Sequence, residues 1–524
     1  MKLLGIDVGT GGTRAVVVDT NGSVVASSTA EHAPFASPQT GWAEQEPADW
    51  WRATTEAVRG VLSHDDVNAD EIACVGFSGQ MHGAVLLDEG ENVLRPALIW
   101  CDQRTDAQAK AITNLVGASR LIELTANPAL TNFTVTKLMW VREHEPALWL
   151  RFRYLLLPKD YVRLCLTGAR ATDVADASGT LLLDVANRRW SDTMLDALEI
   201  NKNCLPALFE SSEIAGRVSA AGAAVTGLRE GTPVVAGAGD QAAGAIGMGI
   251  VRPGAVSATI GTSGVVFAAT ARPALDKAGR VHTFCHAIAD RWHVMGVTQA
   301  AGLSLRWFRD RFGLGSDGAP TGGEDDPYDV LCREAAQAPP GSDGVLWAPY
   351  LMGERTPHLD PNARAALVGL AASHTRAHVI RAILEGVAFS LRDTLTIFAE
   401  MEVPVDTIRL GGGGSRGELW RQIQADIYGR EVEILAADEG AAFGAALLAG
   451  VGVSIWSSVD EACARSVRIA KRVEPDTSAA ALMSRRYSAY RAIYPALRSV
   501  AEAAEKEELR INNDTRQIHT TPGA

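Results

Sequence analysis

The 524-residue chain is poor in cysteine and in aromatic residues and has no excess of positive charge, and each shortage removes a class of function. Its seven cysteines (Cys74, Cys101, Cys165, Cys204, Cys285, Cys332 and Cys463) are scattered, odd in number and never spaced Cys-x-x-Cys. Neither a disulfide framework nor a zinc site is indicated, and a reducing cytoplasmic setting fits. Aromatics make up 6% and the net charge is −13, so a broad basic surface for nucleic acid or anionic lipid is not expected. The longest uncharged run, residues 253–271, is rich in Gly, Ser and Thr and lacks the ~20 strongly apolar residues of a membrane-spanning helix. Asp7 cuts the apolar start a few residues after Lys2, too soon for the core of a signal peptide. Two phosphate-handling signatures are missing as well: the G-x-x-x-x-G-K-[ST] loop, and the catalytic-loop and D-F-G motifs of protein kinases.

What is present reads as a large α/β enzyme. The chain is 47% hydrophobic, and since one core rarely grows beyond ~250–300 residues, two large domains are expected. Residues 3–8 and 13–19 form two apolar runs, and Asn21-Gly22 is a hairpin signal before Val24-Val25. This antiparallel opening, followed by helical patterns alternating with short apolar strands at 72–77 and 97–100, predicts a mixed sheet. A second strand-rich start at 255–269 echoes the first: Asp7-Val8-Gly9-Thr10-Gly11-Gly12 against Thr259-Ile260-Gly261-Thr262-Ser263-Gly264, about 250 residues apart. The expected division is a first domain over 1–250, a second over 251–495 and a polar tail over 496–524. In the second half, Ile380, Ile383, Leu384, Val387, Leu391 and Leu395 have helical spacing behind Ser373 as candidate N-cap.

Three small-residue loops follow apolar strands, at 9–13, 261–264 and 411–415. Glycine lets backbone N–H groups approach a phosphate, and the hydroxyls of Thr10, Thr13 and Thr262 add donors. Any one of them alone is a tight turn; three together favour a nucleotide site between two domains. Gly412, Gly414 and Gly417 also match G-x-G-x-x-G between a strand and a helix, the pattern of a nicotinamide-dependent oxidoreductase, but that leaves both Gly-Thr loops without a role. Asp240 is a charge inside an almost wholly apolar segment, 237–244, and reads either as a working carboxylate or as a helix N-cap. Asp7 sits where an acid could hold magnesium through water, or serve as a buried turn residue. The 78–83 segment places Gln80 and His82 on a loop after a strand, where a hydroxylated ligand would find them. His282 with His286, and His374 with His378, have i,i+4 spacing but no third ligand in view, which favours structural roles.

The ordered set Gly5-Ile6-Asp7-Val8-Gly9-Thr10, Gly41-Trp42-Ala43-Glu44-Gln45-Glu46-Pro47 with Trp50-Trp51, Gly239-Asp240-Gln241, Ile260-Gly261-Thr262-Ser263-Gly264 and 411–415 resembles the FGGY family of carbohydrate kinases over nearly the whole chain. Gly79-Gln80-Met81-His82-Gly83 and Ile99-Trp100-Cys101-Asp102-Gln103-Arg104 resemble its pentulose-kinase members. The resemblance implies two ribonuclease-H-like domains of the actin and hexokinase type, with mixed sheets flanking a central cleft, ATP and Mg2+ as cofactors, and phosphorylation of D-xylulose at the C5 hydroxyl. It further implies Asp240 as catalytic base, Met81, His82, Asp240 and Gln241 on the sugar, Asp7 near the magnesium, and Gly261, Thr262, Gly412 and Gly413 lining the nucleotide site. The partners implied are a small sugar and ATP, with neither nucleic acid nor membrane, and with room for a homodimer. Kinases of the same family for ribulose, gluconate or glycerol remain the alternative.

Overall fold

The computed structural model describes residues 1–313, 326–437 and 439–500. Most of the 313–327 loop and nearly all of the polar tail expected from the sequence lie outside these. Two seven-stranded mixed sheets organise the chain. The first is built from β1 (Lys2–Val8), β2 (Gly12–Asp19), β3 (Val24–Glu31), β4 (Ile72–Gly79), β5 (Ile214–Arg217), β6 (Pro233–Val235) and β7 (Ala238–Gly239), in the order β5-β6-β4-β1-β2-β3 with β7 also beside β4. The second runs β10-β11-β9-β8-β12-β13-β14, from β8 (Gly254–Ile260), β9 (Gly264–Thr270), β10 (His282–Cys285), β11 (Trp292–Thr298), β12 (Val405–Gly412), β13 (Val432–Leu435) and β14 (Ile469–Val473).

The echo in the sequence corresponds to an echo in topology. β1 pairs antiparallel with β2 and parallel with β4, and β8 pairs antiparallel with β9 and parallel with β12. Central strands covered on both faces read as unbroken apolar runs, which is why Leu3, Leu4, Ile6 and Val8 are all fully buried. The hairpin signal holds too: the Asp19 carboxylate accepts from the N–H groups of Asn21 (2.8 Å) and Ser23 (2.9 Å) and closes the β2–β3 turn.

Register decides where the chemistry lies. Val8 is level with Gly79, and Gly79 with Gly239, so the segments beginning at Gly9, Gln80 and Asp240 leave the first sheet side by side. Ile260 is level with Gly412, so the turns after β8 and β12 also emerge together. Ligands bind outside the carboxyl ends of parallel strands for this reason.

Two helices join the halves. α1 (Asp240–Gly247) follows β7, and α2 (Gly440–Gly452) follows β13 of the second sheet yet rests on the first. Its packing is backbone to backbone. A Cβ added at Gly5 would lie 1.9 Å from the carbonyl oxygen of Ala442, one at Gly76 2.0 Å from that of Ala445, and one at Gly444 1.8 Å from that of Ala243. Glycine at these positions permits the approach. The long helix α3 (Arg376–Glu400) is capped by Thr375, not Ser373: the Thr375 side chain and His378 form a reciprocal capping box, so the cap lies two residues later than the sequence signal placed it.

Candidate active site

The first phosphate-type loop is closed by the Gly9 N–H donating to the Gly12 carbonyl at 3.0 Å and tied sideways to its neighbours. Gln45 Nε2 donates to the Thr10 carbonyl (2.8 Å), Gln80 Nε2 to Gln45 Oε1 (2.9 Å), and Trp100 Nε1 to the Thr10 hydroxyl (2.9 Å). Gln80 therefore braces this loop against the next one instead of pointing to a ligand. Thr13 departs from expectation: it is fully buried in β2 and its hydroxyl is shared with His32 Nε2 at 2.9 Å, so it is not offered to a nucleotide. Side chains alternate along a strand, and Thr13 falls on the inward side.

Asp7 and Asp240 are brought close enough to repel. Burial first, and then the negative charge of Asp7, push the Asp240 carboxyl up to about 7, hydrogen bonds from Gln241 only partly opposing this. Asp240 opens α1 and retains some surface while the protein around it excludes water. Asp7 is also raised by burial, with Ser78 and the charge of Arg14 acting against it, and its Oδ1 is buried without a protein partner. A buried acceptor left unsatisfied costs about 1–3 kcal/mol, which is the mark of a position waiting for a cation or water. Among the described residues no three His, Cys, Asp or Glu groups gather as a metal cage. A single carboxylate with waters is the binding mode magnesium prefers.

Met81 and His82 follow from β4. Both are nearly buried, and His82 takes a left-handed φ of 69°. Such backbone strain in a non-glycine residue persists where the surroundings impose it, commonly at a ligand site. Met81 is pressed against the strand end before Asp240, because a Cβ on Gly239 would lie 2.7 Å from Met81 Cγ. His82 Nδ1 donates to the Gly179 carbonyl at 2.8 Å, Nε2 accepts from Asn132 Nδ2 at 3.3 Å, and burial holds the ring neutral by lowering its pKa to about 3. The ring then packs edge-on to Phe133 at 5.2 Å and against Phe284 of the second sheet at 6.2 Å. Beneath this loop, Lys159 is fully buried among Asp160, Asp173 and Asp176 at 2.6, 2.7 and 3.2 Å. Gln241 lies in the first turn of α1, beside Asp240.

In the second half Gly261 and Thr262 are exposed at the tip of the β8–β9 turn. Their carbonyls accept from Gly302 (2.8 Å) and Leu303 (3.1 Å), the first residues of the helix Gly302–Phe312. Gly412, with φ 68°, and exposed Gly413 lie on the adjacent turn. Sequence reasoning missed Asn132, Trp100 as a partner of Thr10, and Arg355. Trp100 and Asn132 meet the site through contacts 90 and 50 residues away in sequence, which no local pattern marks. The paired histidines have protein partners: His282 Nδ1 meets Asn127 Oδ1 at 3.0 Å, His286 Nε2 meets the Ile250 carbonyl at 3.0 Å, and His374 and His378 serve turns.

Comparison with known proteins agrees with this geometry. The N-terminal domain model of the FGGY family of carbohydrate kinases matches residues 2–247, and the C-terminal domain model matches 256–453. The xylulose kinase of Bacillus subtilis (strain 168) is 39% identical over 492 residues, covering 94% of this chain and 96% of that protein. That of Escherichia coli (strain K12) is 39% identical over 459 residues, covering 87% and 91%. The crystal structure of xylulose kinase from Rhodospirillum rubrum superposes with a TM-score of 0.86 at 29% identity, covering 96% of this chain and 100% of the other. The G-x-G-x-x-G match at Gly412 is thereby accounted for as part of the second kinase domain, and the chain belongs to the FGGY family of carbohydrate kinases.

Proposed function

We propose that the chain transfers the γ-phosphoryl group of ATP to the C5 hydroxyl of D-xylulose, with Asp240 as general base. The observation that carries this is Asp240 itself: an acid pushed to about 7, level with the Met81–His82 loop and next to a second buried carboxylate. The xylulose kinases that share 39% of their residues with the chain support the choice of sugar. In this reading residues 1–250 hold the sugar and 251–495 the nucleotide.

The chemistry follows from the residues. Phosphoryl transfer needs positioning and charge neutralisation more than covalent help. The Gly9–Gly12 loop and the Gly261–Thr262 turn receive the phosphates through backbone N–H groups, and Gly412 and Gly413 leave space for the nucleoside. Met81, His82 and Gln241 orient the sugar. Asp240 accepts the proton of the attacking hydroxyl, a role that requires it ionised near neutral pH, which a pKa of about 7 allows. Asp7, with its unsatisfied buried oxygen, fits as the residue that holds Mg2+ through water. When bound, the ion would neutralise charge on the phosphates of ATP.

A coupled assay of ADP release with D-xylulose, D-ribulose, gluconate and glycerol tests the proposal. It predicts the highest kcat/KM on D-xylulose and one ADP per sugar phosphate. Absence of turnover on every ketopentose would overturn it.

A further inference from the structure

Arg355 lies in the second half, on a segment tied to the strands that carry His282. The backbone on either side of it is fixed across the ends of β10 and β11. The Thr356 N–H donates to the Val297 carbonyl at 3.0 Å, the Val297 N–H to the Thr356 hydroxyl at 3.1 Å, and that hydroxyl to the Arg280 carbonyl at 2.8 Å. This places Arg355 beside His282, whose ring lies 5.7 Å from Phe133 and 5.6 Å from Phe284, the two rings that also pack on His82.

The guanidinium is half-buried and, among the described residues, makes neither a hydrogen bond nor an ion pair. Glu354 favours the charged guanidinium but forms no ion pair with it. That carboxyl is spent on the Thr298 hydroxyl (2.5 Å) and the N–H groups of Gln299 (3.0 Å) and Arg355 (2.8 Å), and burial pushes it up to about 8. Burial lowers Arg355 itself to about 10. Its charge is felt at the site: after burial, which dominates, Arg355 contributes to holding down His82, His282 and Lys137. Lys137 has its own task, donating to the carbonyls of Asn132 (2.5 Å) and Phe133 (3.4 Å) and so fixing the turn that carries Asn132. Asn132 Oδ1 is buried without a partner.

The unpaired Asn132 Oδ1 thus belongs to the side chain that donates to His82, and the unpaired Arg355 guanidinium is a cation whose charge reaches the same ring. A carboxylate would satisfy only the guanidinium. A hydroxyl beside a carbonyl satisfies both, since the hydroxyl donates to Asn132 Oδ1 and the oxygens accept from Arg355. We propose that Arg355 is a sugar-contacting, specificity-determining residue that, with Asn132, grips the hydroxyketone end of the ketose so that the opposite hydroxyl is delivered to Asp240. This rests on the kinase reading above. It also gives the second half a direct contact with the sugar.

The test is steady-state kinetics of wild type, Arg355→Met and Arg355→Lys with D-xylulose and 1-deoxy-D-xylulose, which lacks the C1 hydroxyl. Loss of a charge-assisted contact predicts a sugar KM raised by about 10–100-fold in Arg355→Met, with kcat and the KM for ATP within about threefold and partial recovery in Arg355→Lys. Wild type should prefer the full sugar by roughly tenfold or more, and Arg355→Met should lose most of that preference. An unchanged sugar KM, or the preference retained in Arg355→Met, overturns the inference while leaving the kinase reading intact. Unchanged ATP affinity shows that the variant is folded; if Arg355→Met does not fold, the same comparison is read in Arg355→Lys. No turnover by wild type on any ketopentose overturns both.

Discussion

Asp7 and Asp240 are two carboxylates in a site that desolvates both, and their mutual repulsion adds to the cost of ionising either. If Asp240 is the base, kcat/KM for the sugar rises with pH through a pKa near 7, because only the ionised form accepts a proton. A profile flat from pH 5.5 to 8.5 would remove Asp240 from that role. A second buried acid makes a separate prediction about stability. Asp393 is pushed up to about 7 by burial, while Tyr487 Oη donates to it at 2.6 Å and opposes the shift. The unfolded chain releases this proton near pH 4, so between about 4 and 7 the folded form holds a proton that the unfolded form has lost. The stabilisation is full below that window and lost as pH rises through it. Asp393→Asn keeps the acceptor for Tyr487 and has no charge to bury. Its unfolding free energy relative to wild type should therefore climb with pH from 4 to 7, by at most about 1.4 kcal/mol per pH unit. Urea melts at four pH values check this, and a pH-independent difference would contradict it.

At the scale of elements, α1 and α2 pack as closely as backbones allow, and two glycines give opposite expectations. In a helix, alanine is normally better than glycine by ~1 kcal/mol. At Gly244 of α1 nothing lies within 4 Å of an added Cβ, so Gly244→Ala should be neutral or stabilising. At Gly444 of α2 the same methyl would lie 1.8 Å from the Ala243 carbonyl oxygen, so Gly444→Ala should destabilise by about 1–3 kcal/mol or more. Thermal melts of the pair decide it; a Gly444→Ala protein as stable as wild type would mean that the helices are not packed as described. Local patterns were legible wherever local physics governs. The apolar run of β1, the Asn21-Gly22 turn and the periodicity of α3 all formed as read, with the cap displaced from Ser373 to Thr375 because His378 completes a capping box there. Thr13 was misread because a loop motif carries no information on which side of the following strand each residue falls; its hydroxyl points to His32.

For the molecule as a whole, the duplicated Gly-Thr turn was enough to foresee two related sheets, because a strand, a tight turn and a returning strand are encoded within a dozen residues. The junction between the halves was not legible. Asn127 donates to the Thr283 carbonyl at 2.8 Å, Arg14 pairs with Glu439 at 2.6 Å, and α2 crosses onto the sheet of the other half, all across more than 150 residues of sequence. Asn132 meets His82 across 50 residues of the first half, and Arg355 lies in the second half, and no local pattern marks either. In the proposed function, a sugar hydroxyl loses its proton to Asp240 as phosphate arrives where the halves meet. The most direct measurement is a rapid-quench single turnover of Asp240→Asn beside wild type, with sugar affinity taken from calorimetry on the same samples. Sugar Kd within about threefold and a phosphoryl-transfer rate lower by roughly 10²–10⁴ is the predicted result; a rate within about tenfold of wild type, with sugar bound, would contradict the account.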